Sequence, residues 1–347
     1  MSLNENEAHL LCDEEFFHTG HFNQFQNLYN NNPQLFLEKN IDGNLPLHFL
    51  CFRGMYISSV HKRVFTDTLN NAIELLLNDH PRLFLEKNNF GESPLHILAM
   101  NYFNSEAADI LKKVFSELSY LNKLKTIQEK RLKNNNGDTP LHHLCNLIHF
   151  NSHVVTAMQE IIRIQPSLLT LKNNNGNTPL HLLAKKNIRI SNEIDKNVHD
   201  VIKSILNEHE IDPFTKNKER DTPVHSLLKN KYFNNYTIDT IQCFFEKDIL
   251  TLKGNDGNTP LHCMCMNPNL WQYVPHFFKK KQLSTSMKNN NGDTPLHILC
   301  FQPYTSAMNN VLKFLDVFKN IPNKDGEFPR RVMDSNENIE EFNFTGL

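Results

Sequence analysis

NGDTPLHILC, from Asn291 to Cys300, is a phrase this chain keeps returning to. Other versions read DGNLPLHFLC (Asp42 to Cys51), FGESPLHILA (Phe90 to Ala99), NGDTPLHHLC (Asn136 to Cys145), NGNTPLHLLA (Asn175 to Ala184), ERDTPVHSLL (Glu219 to Leu228) and DGNTPLHCMC (Asp256 to Cys265). A worn copy, KDGEFPRRVM, runs from Lys324 to Met333. Self-similarity of this kind marks a stack of like supersecondary units, none of which can bury its apolar face alone. From Pro46 through Pro94, Pro140, Pro179, Pro223, Pro260 and Pro295 to Pro329, the spacings are 48, 46, 39, 44, 37, 35 and 34 residues. They share a minimum of roughly 33 residues, enlarged by insertions.

Each position of the phrase has a physical task. Thr139, Thr178, Thr222, Thr259 and Thr294, with Ser93, stand directly before a proline and an apolar run. Each hydroxyl is therefore expected to accept a free N–H of a first helical turn, worth about 1 kcal/mol against Ala. Proline follows at the first helical position, where its missing N–H costs nothing. Gly43, Gly91, Gly137, Gly176, Gly257, Gly292 and Gly326 lie three residues before the proline, and this one offset holds seven of the eleven glycines. It predicts a tight turn with positive φ. Leu45 and Phe328 stand where the cap is missing, both in copies near an end of the array. Arg220 occupies the glycine position of the fifth copy; left-handed backbone there costs about 1–2 kcal/mol, so the turn is either strained or remodelled.

The Thr-Pro-Leu-His phrase at this period resembles the ankyrin-repeat family, whereas the Trp-Leu-Gly-Tyr pattern of tetratricopeptide units is absent. The resemblance extends from His18 to Met333 and implies an all-α solenoid of about seven to eight helix-turn-helix repeats with polar β-turn fingers. The expected array spans residues 1–333: a degenerate amino-terminal capping repeat over 1–40, seven clear repeats with insertions over 41–320, and a degenerate carboxyl-terminal repeat over 321–333. A flexible acidic tail over 334–347 completes the layout. Apolar residues at three and four predict second helices in TDTLNNAIELLLNDHP from Thr66, NVHDVIKSILNEH from Asn197, TIDTIQCFFEKD from Thr237 and SAMNNVLKFLDVFK from Ser306.

Histidine fills one slot in seven copies: His48, His96, His142, His181, His225, His262 and His297. Four of them, His48, His142, His262 and His297, have a cysteine three residues on, at Cys51, Cys145, Cys265 and Cys300. A His-x-x-Cys pair on one helix shares a face and has the chemistry for zinc or a nucleophile. However, His96, His181 and His225 hold the slot without a cysteine, and the cysteine position alternates with Ala99 and Ala184. A structural histidine beside a small buried residue explains all the copies, and the family resemblance implies that this histidine bonds the backbone of adjoining turns. No cofactor, metal or catalytic residue is expected, and His143, next to His142, reads as a surface residue. Seven free cysteines, an odd number, argue against a disulfide framework.

A formal net charge of −2 and a pI near 6.8 exclude the basic footprint of a nucleic-acid binder. The longest basic run, Lys279 to Lys281, reads as a solvated helix end. No stretch of eighteen apolar residues occurs, and the first residues, MSLNENEAHLL, carry acids where a signal peptide needs a basic region. A soluble monomer without membrane insertion is expected, with no Gly-rich phosphate loop, G-x-S-x-G or H-E-x-x-H to suggest an enzyme.

An ankyrin-like resemblance implies binding of a protein partner on a concave surface of fingers and first helices. Interface anchors favour Trp, Tyr and Arg, which selects Arg220, Trp271, Tyr273 and Tyr232, together with Phe90 at a finger tip that is polar in other copies. The insertions at 53–63, 185–195 and 230–236 lengthen the minimal repeat and add surface. In the tail, Glu337, Glu340 and Glu341 followed by Phe344 resemble the carboxyl-terminal signals of type IVB secreted bacterial effectors. That resemblance implies delivery into a host cell without a signal peptide; the alternative is a regulatory adaptor in the cytoplasm of its own cell.

Overall fold

A computed structural model of the chain describes residues 5–14, 17–53, 62–100, 105–122, 129–148, 150–186, 192–209, 211–247, 251–278 and 287–329. Its described residues are helical, without strands, and the chain divides into two units, Met1–Asn174 and Asn175–Leu347. The tail residues Glu337, Glu340, Glu341 and Phe344 and the run Lys279 to Lys281 lie outside the described residues, as do the middles of the first two insertions.

In the first unit the helices alternate between two layers. One layer holds α1 (Glu7–Cys12), α3 (Pro46–Arg53), α5 (Pro94–Leu98) and α7 (Pro140–Asn146), each against the next. The other holds α2 (Thr19–Asn31), α4 (Lys62–Asp79), α6 (Ser105–Asn122) and α8 (Ser152–Ile164), packed in the same order. Proline opens α3, α5 and α7, as its fixed φ favours. Between the layers lie fully buried phenylalanines, Phe25, Phe36, Phe84 and Phe150 among them. The stretch before residue 18 holds a helix, α1, that no Pro-Leu-His announces.

The second unit repeats the plan with α9 (Pro179–Lys185), α11 (Pro223–Leu228), α13 (Pro260–Met266) and α15 (Pro295–Cys300) in one layer. Its other layer begins with α10 (Asn192–Glu208) and α12 (Asn235–Phe245). Then the long helices stop. Pro268 starts a 3-10 turn through Tyr273, and Pro275 sits inside the first turn of α14 (Val274–Phe277), so only four residues are α-helical there. The stretch expected to form one helix from Ser306 is broken into a 3-10 turn, α16 (Asn309–Phe314) and a second 3-10 turn over Asp316–Phe318. Trp271, Phe278 and Phe318 fill the space beneath.

Most fingers are alike. Glycine three residues before the proline has φ between +73° and +80° in every copy but the fifth, and several neighbouring fingers within a unit are stitched by a main-chain bond, as from Asn89 N–H to Asp42 O at 2.9 Å and from Asn290 N–H to Asp256 O at 2.8 Å.

Candidate functional site

The repeated histidines have their hydrogen bonds fixed by geometry. At His96, Nδ1 accepts from the Ser93 main-chain N–H at 3.2 Å and from its hydroxyl at 2.7 Å. The same pair of bonds recurs at Thr139–His142, Thr178–His181, Thr259–His262 and Thr294–His297. His225 takes the Thr222 hydroxyl, and His48 the Leu45 N–H. A main-chain N–H only donates, so Nδ1 carries no proton and the ring N–H is at Nε2. That N–H donates to a carbonyl of the following finger: Glu92 for His48, Asp138 for His96, Asp221 for His181, Asn258 for His225, Asp293 for His262 and Glu327 for His297, at 3.0–3.2 Å. The hydroxyl therefore has two partners: it donates to the imidazole and, as the expected cap, accepts the first-turn amide in the capping boxes at Ser93, Thr139, Thr178, Thr259 and Thr294, at 3.4 Å for Thr139.

His9, missed by the sequence reading, makes the same reach to the following finger, although its Nδ1 faces an amide oxygen where the others, His48 apart, face a hydroxyl. Its Nε2 lies 2.9 Å from Asn44 O and its Nδ1 2.8 Å from Asn6 Oδ1. The available signal was the spacing of His9 and Cys12, which matches that of His48 and Cys51. A second unrecognised pattern is the Asn six residues before the proline in every copy but the sixth, where Gly254 stands. Asn88 Nδ2 donates to Asn44, Asn134 to Glu92, Asn173 to Asp138, Asn217 to Asn177, Asn289 to Asn258 and Asn323 to Asp293, at 2.7–3.2 Å. The acceptor is always the polar residue two before the proline of the preceding copy, so this ladder joins repeat to repeat through side chains.

None of this leaves a His-Cys nucleophile. Both ring nitrogens are occupied, and burial pushes the Cys51 and Cys265 thiols well above their ordinary range and Cys263 up to about 12. A nucleophilic cysteine needs the opposite shift.

The candidate binding residues separate into two groups. Phe90 is 67% exposed on its finger, and Ile41 on the preceding finger is 60% exposed. The two fingers are tied by the Asn89 side chain, whose Nδ2 donates to Ile41 O at 2.9 Å. Tyr232 is exposed too, in an insertion whose Asn234 caps α12. Trp271 is only 2% exposed, and its indole N–H donates to Cys265 O at 2.9 Å. It is a core residue closing the shortened sixth repeat, which removes it from the binding candidates. Tyr273 is half-buried beside it. His143, read as a surface residue, is half-buried against Glu92.

Arg220 is exposed and has φ +66°, so the fifth turn keeps its left-handed shape without glycine. The sixth finger meets this turn differently from the others: Asn255 N–H donates to the Asp221 side chain at 3.2 Å, and Asp256 also takes a positive φ, +54°. Arg220→Gly is expected to stabilise the protein by about 1 kcal/mol, the strain relieved less the added chain entropy. Chemical denaturation of variant and parent checks this; a lowered midpoint contradicts it.

No protein-family model matches the chain, and no curated protein matches it. Solved structures do. The crystal structure of the ankyrin repeat domain of Bcl-3, described as a unique member of the IkappaB protein family, is 17% identical with a TM-score of 0.51, over 78% of this chain and 99% of that one. The ankyrin-repeat protein EF0377 is also 17% identical, with a TM-score of 0.42 over 55% of this chain and 83% of its own. Identity this low bears on the fold alone, and the likeness to the Bcl-3 domain, joined to the paired helices, turns and imidazole bonds above, shows that this chain has the ankyrin-repeat fold.

Proposed function

We propose that this protein is a non-catalytic scaffold that holds a partner protein on its fingers and first helices. The observation that carries the reading is the apolar pair Ile41 and Phe90. Both sit at finger tips, more than half exposed, where the corresponding residues of other fingers are polar. Isolated apolar side chains are ordinary on a surface, but two on adjoining rigid turns form a preorganised anchor of the kind that dominates interfaces. The fold supports the reading in general terms, because repeat arrays of this type present extended binding surfaces. Among the described residues no helix is long and apolar enough to cross a membrane, and the partner is reached from solution.

The expected result is that Phe90→Ala with Ile41→Ala weakens capture of a eukaryotic-lysate partner at least tenfold, about 1.4 kcal/mol, while the melting midpoint is unchanged. Equal capture by parent and variant removes this surface from consideration. Delivery to a host cell is the finer part of the proposal and rests on the acidic tail with Glu337, Glu340, Glu341 and Phe344. A translocation assay that gives the same signal with residues 334–347 deleted leaves the adaptor within its own cell as the reading.

A further inference from the structure

The ladder described above has one irregular rung. Its acceptors are Asn or Asp at Asn44, Asp138, Asn177, Asn258 and Asp293, but Glu at Glu92. The extra methylene has a consequence. Oε1 takes the ladder bond, accepting from Asn134 Nδ2 at 2.7 Å, and Oε2 is carried past the rung into a buried position where it has no hydrogen-bond partner. A buried carboxylate oxygen left so is costly.

Facing it is His143, three residues after its proline, where other copies carry Phe49, Ile97, Leu182, Ser226, Cys263 or Ile298. Its Nε2 lies 3.6 Å from Glu92 Oε2 and 3.2 Å from Asn134 Nδ2. The Asn134 amide cannot be turned around, because its Oδ1 already accepts from the Asn136 and Asp138 main-chain N–H groups at 2.9 Å. Nδ2 is thus a donor, and His143, with its proton on Nδ1, accepts that N–H at 3.2 Å through the single lone pair of Nε2, which a metal ion would have to take over from Asn134. A carboxylate lone pair and an imidazole lone pair therefore converge.

Their separation is informative. At 3.6 Å it is too long for a hydrogen bond. It suits an ion between them: with zinc–nitrogen and zinc–oxygen bonds of about 2.1 Å, atoms this far apart subtend roughly 120° at the metal, near tetrahedral. His96 also has a ring nitrogen within 4.8 Å of a Glu92 carboxylate oxygen and a His143 ring nitrogen, but its Nδ1 accepts from Ser93 and its Nε2 donates to Asp138 O, so it offers no lone pair. The Glu92 and His143 side chains are each about one-sixth exposed while Oε2 itself is buried, so an ion with its waters must enter past these side chains.

We propose that Glu92 and His143 form a binding site for a divalent transition-metal ion of the zinc class, with water completing the coordination sphere. Oxygen and imidazole nitrogen suit zinc, and bound there it ties the second repeat to the third. The burial that raises the Glu92 pKa is the cost that the cation offsets, since it supplies the charge that the protein does not.

The test uses the full chain and zinc ion alone, followed by calorimetry and thermal melting. Glu92→Gln keeps the ladder bond through its amide oxygen and removes the anionic ligand; His143→Leu installs the side chain that Leu182 already has in the next copy. The expected result is a zinc equivalent, with a raised melting midpoint, that weakens at least tenfold in each variant while the metal-free midpoints stay close to the parent's. Equal zinc uptake by the parent and both variants overturns the proposal, as does a parent that shows no saturable uptake. If Glu92→Gln only shifts the titration of His143 without any zinc effect, the pair shares a proton and is not a metal site.

Discussion

Stability is expected to fall steeply between pH 6.5 and 4 because the histidines of the phrase must be neutral to make their bonds. Nδ1 of each accepts a main-chain N–H or a hydroxyl, so a second ring proton has nowhere to point. Burial, opposed by the bonds to carbonyls, holds His48 and His262 down to about 4; burial with neighbouring His143 holds His96 down to about 3. A free imidazole titrates near 6.5. Because the folded-state values lie lower, the stability these groups contribute is complete above about pH 6.5 and is lost as pH falls toward 4. Each unit of pH below that point costs about 1.4 kcal/mol per histidine, so His48 and His96 together cost their unit close to 3 kcal/mol per pH unit. Against a typical total of about 5–15 kcal/mol, unfolding is expected well above the pH that protonates ordinary carboxylates. Guanidinium midpoints at pH 7, 6 and 5 measure this. A midpoint that stays level down to pH 5 means the rings remain bonded when charged, and the neutral tautomer assigned above is wrong.

Two members of the glycine series, one inside it and one at its end, are expected to respond unequally. Gly137 and Gly326 have nearly the same φ, +75° and +77°. A Cβ on Gly137 would stand 2.6 Å from Asn174 Oδ1 and 2.7 Å from Asn174 N, whereas a Cβ on Gly326 would meet nothing within 4 Å among the described residues. Gly326→Ala therefore isolates the cost of left-handed backbone, about 1–2 kcal/mol. Gly137→Ala adds an overlap with the main chain of the next finger, which can yield only by moving that finger, and a total of about 3 kcal/mol or more is expected. Urea or guanidinium unfolding of the two variants checks the ordering. Equal losses mean the fingers are loose enough to part, and the glycine is then needed for its dihedral alone.

The repeated phrase made the helix pairs and turns legible, because proline, glycine and histidine each do one job that shows in sequence spacing. What stayed hidden is instructive. Asn134 and its fellows bond side chains some forty residues away, and no local pattern tells an Asn that clamps its own turn from one that also bridges to another. α1 has Glu7 where the others have proline, so its His9 lost the punctuation that announced the rest. Apolar spacing from Ser306 predicts one long helix, yet the chain breaks it twice into tighter turns; near the last described repeat tertiary packing outweighs periodicity. Among the binding candidates, the sequence set Phe90 apart from its polar counterparts and its side chain is exposed, but the rarity of tryptophan gave no hint that Trp271 would be enclosed. Glu92 looked like one more polar residue, and only the length of its side chain against a fixed rung set it apart.

The imidazole bonds all run in one direction along the chain. His48 donates to a carbonyl 44 residues later and His297 to one 30 residues later, so no repeat can satisfy its own histidine. During synthesis a newly emerged helix pair must wait, ring unpaired, until the following finger has left the ribosome. The delay is a few seconds at about 5–20 residues per second. The growing end is thus always unfinished, and the finger at 321–329 has the distinct task of ending that sequence of debts by supplying Glu327 to His297.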